Sequence, residues 1–98
     1  MEIKDLRDGM KRIDVEAKVV EKGQPREVKS KFKEETYRIV DAIIADLTGS
    51  IKLTLWNEQA DAVNVNDNIQ IENAYVTSFK GDIQLNIGKF GKLMVVVK

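Results

Sequence analysis

A two-residue alternation of apolar and polar side chains recurs along this chain and confines it to sheets with one buried face. In Ile13-Asp14-Val15-Glu16-Ala17-Lys18-Val19 every second residue is apolar and those between are charged. Ser50 to Trp56 repeats the pattern, with Ile51, Leu53 and Leu55 on one side and Lys52, Thr54 and Trp56 on the other. Ile83, Leu85 and Ile87 alternate with Gln84 and Asn86. Tyr37 to Asp46 is apolar on both sides (Ile39, Val40, Ile43, Ile44), which predicts a strand buried over part of its length.

The residues between these runs supply the connections. Gly23-Gln24-Pro25 ends the first strand, and the charged stretch 26–35 predicts a long loop or an extended hairpin. Asp46-Leu47-Thr48-Gly49 reads as a tight turn, with Gly49 expected at positive φ. Asn57 is expected to cap a short helix over residues 58–63. Ile69 and Ile71 open a fourth strand, but Ala74 and Val76 continue it in the opposite phase, which predicts a β-bulge near Glu72-Asn73. Lys80-Gly81-Asp82 turns into the fifth strand, and Leu93 to Val97 is expected to close against the barrel. Five antiparallel strands with a short helix between the third and fourth outline an all-β OB-fold, a five-stranded Greek-key barrel. Ninety-eight residues predict one such domain over 1–98.

Composition narrows the chemistry. The chain has no cysteine and no histidine, so thiolate sites, disulfides and the commonest general base are excluded. No phosphate-binding glycine loop is present and the acidic residues are scattered, so no catalytic residue, metal or cofactor is expected. Without a membrane-spanning run or a signal peptide, a cytoplasmic protein is expected. Sixteen basic and sixteen acidic residues cancel, but unevenly along the chain. Ionised side chains from Asn57 to Asn73 are all acidic, whereas Lys80, Lys89, Lys92 and Lys98 face only Asp82 after Phe79, which predicts a locally basic face.

The aromatic residues point to what that face does. Trp56 falls on the polar side of its strand, and the bulge puts Tyr75, Thr77 and Phe79 on the polar side of theirs. Exposed there, each large aromatic forgoes about 1.5–3 kcal/mol of burial. Lys52, Thr54, Trp56, Tyr75, Thr77, Phe79, Gln84 and Asn86 converge on this topology. Aromatic faces stack unpaired bases for about 1–3 kcal/mol each, while lysines follow phosphates and amides reach base edges. Packing of Trp56 against the barrel end beneath the Asn57 helix is the competing reading.

Residues 44–57, Ile-Ala-Asp-Leu-Thr-Gly-Ser-Ile-Lys-Leu-Thr-Leu-Trp-Asn, resemble the third-strand signature of archaeal single-stranded DNA-binding proteins of the single-OB-fold type. That family is related to human single-strand-binding OB proteins and to OB domains of replication protein A. Ile69 to Gly81, Ile83 to Gly88 and the opening Asp5-Leu6-Arg7-Asp8-Gly9-Met10 are similar to the same family, so the resemblance covers nearly the whole chain. It implies base stacking by Trp56, Tyr75 and Phe79, and phosphate contacts by Arg26, Lys33 and Lys80. Some members have tryptophan where this chain has Tyr75. Many also carry a glycine-rich, charged C-terminal tail that recruits partners, and this sequence stops at Lys98.

The expected function is non-catalytic, largely sequence-independent binding of single-stranded DNA, protecting it in replication, recombination and repair. Single-stranded RNA is the alternative ligand, and an OB-fold protein-interaction subunit is the alternative class. Replication or repair proteins are the expected partners, no membrane is involved, and the protein is expected to be a monomer in isolation.

Overall fold

The computed structural model describes residues 2–29 and 35–96. Six strands form one sheet: β1 (Ile13–Lys22), β2 (Arg26–Lys29), β3 (Thr36–Asp46), β4 (Gly49–Trp56), β5 (Asn68–Phe79) and β6 (Asp82–Val96). A five-residue helix, α1 (Glu58–Ala62), joins β4 to β5, and a 3-10 turn at Ile3–Asp5 precedes β1. The order β1-β5-β6-β4-β3 closes through β1–β3 pairing, giving a five-stranded barrel with β2 appended to β3. This is the expected OB topology, with one difference. The β4–β6 pair is parallel, with Leu53 opposite Leu85, whereas every other pair is antiparallel.

Closure follows from the alternation. Ile13, Val15, Ala17 and Val19 of β1 point inward while Asp14, Glu16 and Lys18 face water. The inward residues meet Val40, Ala42 and Ile44 of β3, Ile51, Leu53 and Leu55 of β4, Ile69 and Ile71 of β5, and Leu85 of β6. Each large aliphatic side chain so buried contributes about 1.5–3 kcal/mol. Ile3 and Leu6 cover the barrel near the β3–β4 turn, and Ala60 and Val63 join the core by the opposite end of that hairpin.

The β5 bulge falls at Asn73. Pairing with β6 shifts between Glu72 and Ala74, and Asn73 stands at φ 56°, where asparagine is among the least strained side-chain-bearing residues. Ile69 and Ile71 therefore point inward before it and Ala74 and Val76 after it. Opposite Asn73, residues 88–91 of β6 have no partner in the β5 register, and pairing resumes at Lys92. The Leu93 segment is thus the continuation of β6 along the start of β5, with Met94 and Val95 exposed.

One local expectation is narrowed and two are corrected. Residues 26–29 are a strand, and the loop-or-hairpin segment is a hairpin arm at its base. Gly49 is not at positive φ; the turn is instead organised by Asp46, whose Oδ1 accepts from the backbone N–H of Thr48 at 2.7 Å and of Gly49 at 3.1 Å. Asn57 precedes α1 but makes no side-chain cap, because its Oδ1 accepts from the Arg38 N–H at 2.9 Å.

Asp46 has a pH consequence. Burial alone would raise its pKa, but hydrogen bonds from the Thr48 hydroxyl and from the backbone N–H groups of Ile3, Thr48 and Gly49 outweigh burial and lower it from 3.8 to about 2. A folded-state pKa below the unfolded one gives stabilisation that is present above pH 3.8 and lost as pH falls toward about 2. Asp46→Ala is expected to cost about 1–2 kcal/mol at neutral pH, the low end for bonds to a charged acceptor partly open to water. Urea-unfolding curves of variant and wild type should converge below pH 3.8. A gap that stays constant across that window would contradict this role.

Candidate nucleic-acid interface

Cross-strand pairing lays the outward side chains in rows. Ile39 of β3 faces Arg26 on one side and Trp56 on the other. The next row is Asp41, Thr54, Asn86 and Tyr75, followed by Ile43, Lys52, Gln84 and Thr77. Asp82 and Phe79 pair at the end of the β5–β6 hairpin. Beyond Arg26 the face continues onto the arm, where Val28 pairs with Tyr37.

Trp56, Tyr75 and Phe79 are 40%, 38% and 62% exposed on this one face. Strand spacing of ~4.8 Å and a rise of ~3.3 Å per residue put Tyr75 about 12 Å from Trp56 and about 13 Å from Phe79. The platform is therefore a line across the barrel and along β5. Trp56 stands edge-on to Tyr37, with ring centroids 6.0 Å apart. The Tyr37 hydroxyl donates to Glu35 at 2.8 Å, and that hydrogen bond and the carboxylate's charge push its pKa up.

The polar partners divide. Asn86 Nδ2 donates to Thr77 Oγ1 at 2.9 Å, fixing an amide and a hydroxyl beside Tyr75. Gln84 and Lys52 are half-buried, and Lys52 pairs with Asp41 at 3.5 Å. Lys80 stands at the β5–β6 turn with its ammonium 5.4 Å from the Phe79 ring centroid, and Lys80 and Gly81 both have positive φ, as a two-residue hairpin turn needs. Arg26 reaches the face from the arm and pairs with Asp41 at 3.4 Å. Lys33 lies outside the described residues.

Thr54 is the most enclosed of the expected set among the described residues. It points to the outer side but is only 8% exposed, its short side chain sitting between Asp41 and Asn86 of the neighbouring strands. It forms the floor of the face. Sequence reading also missed Tyr37, Ile39, Asp41 and Ile43. Odd-numbered residues of β3 share the outer side, and the apolar Ile39 and Ile43 disguised that phase as core. Ile39 is buried yet lies outside the main core cluster.

A closed barrel with aromatic, amide and basic side chains across strands β4 to β6 defines a protein of the OB class. The chain belongs to the family described as single-stranded DNA binding protein Ssb-like, OB fold, whose model matches residues 7–95. It is 37% identical over 89 residues to single-stranded DNA binding protein Ssb of Saccharolobus solfataricus, covering 91% of this chain and 59% of that protein. It is 30% identical over 95 residues to replication factor A of Methanothermobacter thermautotrophicus, covering 95% of this chain and 12% of that protein. The chain thus spans less than two thirds of either relative. Among solved structures, a hypothetical protein from Arabidopsis thaliana superposes with a TM-score of 0.82 at 25% identity, covering 98% of this chain and 72% of that one. The second OB-fold domain of replication protein A from Methanococcus maripaludis gives 0.80 at 24% identity, covering 100% and 95%, which supports the fold. Among the described residues no helix is long and apolar enough to cross a membrane.

Proposed function

We propose that this chain binds single-stranded DNA without catalysis and with little sequence preference. The observation that carries the reading is the line of three exposed aromatics, Trp56, Tyr75 and Phe79, on one barrel face. Unpaired bases stack on these rings, and every base has a π-face, so the binding tolerates sequence. Arg26, Lys52 and Lys80 neutralise phosphates along the strand, and the family resemblance adds Lys33 to that basic set. Thr77, Gln84 and Asn86 offer hydrogen bonds to base edges or sugars. Such a module protects exposed strands in replication, recombination and repair, and the names of two relatives, a single-stranded DNA binding protein and a replication factor, support that setting. We further propose that residues 1–98 act as one domain, monomeric in isolation and cytoplasmic, which meets replication or repair proteins on the same DNA.

Fluorescence anisotropy with labelled dT and rU oligonucleotides of equal length tests this reading. Saturable binding of dT that weakens as salt rises is expected, because phosphate contacts release counterions. Tighter binding of rU would move the assignment to RNA, and no binding of either at low salt would favour a protein-interaction role.

A further inference from the structure

One carboxylate sits among the cations of this face. Asp41 Oδ2 lies 3.4 Å from the Arg26 guanidinium and 3.5 Å from Lys52 Nζ. Arg26 comes from the β2 arm and Lys52 from the barrel, so a single oxygen joins the arm to the strand beneath it. The acid is the most enclosed of the three, with its side chain 29% exposed against 62% for Arg26 and 40% for Lys52. An anionic oxygen bridging two cations makes with them the contacts that a phosphate oxygen could make.

We propose that Asp41 is a built-in competitor of the phosphates, holding Arg26 and Lys52 in place and yielding them only as a strand docks. The proposal rests on the DNA-binding reading above. Two effects follow from the geometry. The cations are pre-positioned on the face. Each phosphate that reaches them also displaces a carboxylate whose charge remains nearby and repels it. Affinity and its dependence on salt are therefore both held below what the cations alone would give. A strand bound this way is easily released.

Asp41→Asn keeps the shape and removes the charge. It is expected to tighten binding of labelled oligo-dT at low salt by about 3- to 10-fold. The slope of log affinity against log salt should steepen by about 0.7–1.4, the size of one or two phosphate charges on a single strand that Asp41 otherwise offsets. Adding Arg26→Gln to that variant should return part of the slope, and Asp5→Asn, an equal charge change on the 3-10 turn, should leave it unaltered. Exposed ion pairs contribute little to folding, so the melting temperature should barely move, and the binding data then report the face. Unchanged or weaker binding by Asp41→Asn, or an equal gain from Asp5→Asn, would overturn the competitor role. Failure of the wild-type protein to bind oligo-dT would instead remove the DNA-binding reading, and this proposal with it.

Discussion

Trp56→Ala is expected to weaken binding of oligo-dT by about 5- to 150-fold, the equivalent of ~1–3 kcal/mol for one lost stacking surface. The ring sits at the end of β4, 40% exposed, on the outer side, and is not a member of the main core cluster. Its removal takes away one edge-on contact with Tyr37, an interaction of about 0.5–1.5 kcal/mol, and uncovers part of Ile39. Folding should survive that loss. Trp56→Phe, which keeps an aromatic face, should recover much of the affinity. Thermal melting alongside anisotropy separates the two roles. A variant that unfolds while Trp56→Phe stays folded would identify Trp56 as a packing residue.

Gly91→Ala should lower stability by about 1–3 kcal/mol, as inserting atoms into a packed site does. A Cβ there would lie 2.7 Å from Ile87 Cγ2 and 3.2 Å from the backbone oxygens of Asn73 and Glu72. Side-chain rotation relieves only the first of these, because the two carbonyls belong to the bulge itself. For a domain of about 100 residues each kcal/mol corresponds to a melting shift of ~4–8 °C. The strain falls where β5 changes phase, so the fraction that stays folded should also bind more weakly through a displaced Tyr75. Wild-type stability in this variant would mean that the bulge does not depend on close approach at residue 91.

The sequence makes the barrel legible because burial on one face writes a period of two into β1, β4 and the first half of β6. The β5 bulge was legible for the same reason. A slip between Ile71 and Ala74 has no other inexpensive resolution, and the position of Tyr75 depends on it. Alternation failed at β3, where Ile39 and Ile43 on the outer side look like core residues and hid Tyr37 and Asp41 beside them. At Thr54 alternation gives the side correctly but not the burial. Phase states which side a residue faces, whereas exposure depends on the length of its neighbours. The parallel β4–β6 pairing is long-range and leaves no local signature, whereas the weakly patterned β2 arm left loop and hairpin as alternatives. Polar groups were misread when a tertiary partner won over the local one, as when Asn57 bonds Arg38 instead of capping α1.

A single tryptophan makes the central claim directly measurable. Oligo-dT added at low salt should quench intrinsic emission in a saturable way, as a base stacks on Trp56, and raising salt should restore it as phosphate contacts release counterions. Emission that stays unchanged at saturation, while anisotropy of a labelled strand reports binding, would contradict the aromatic platform.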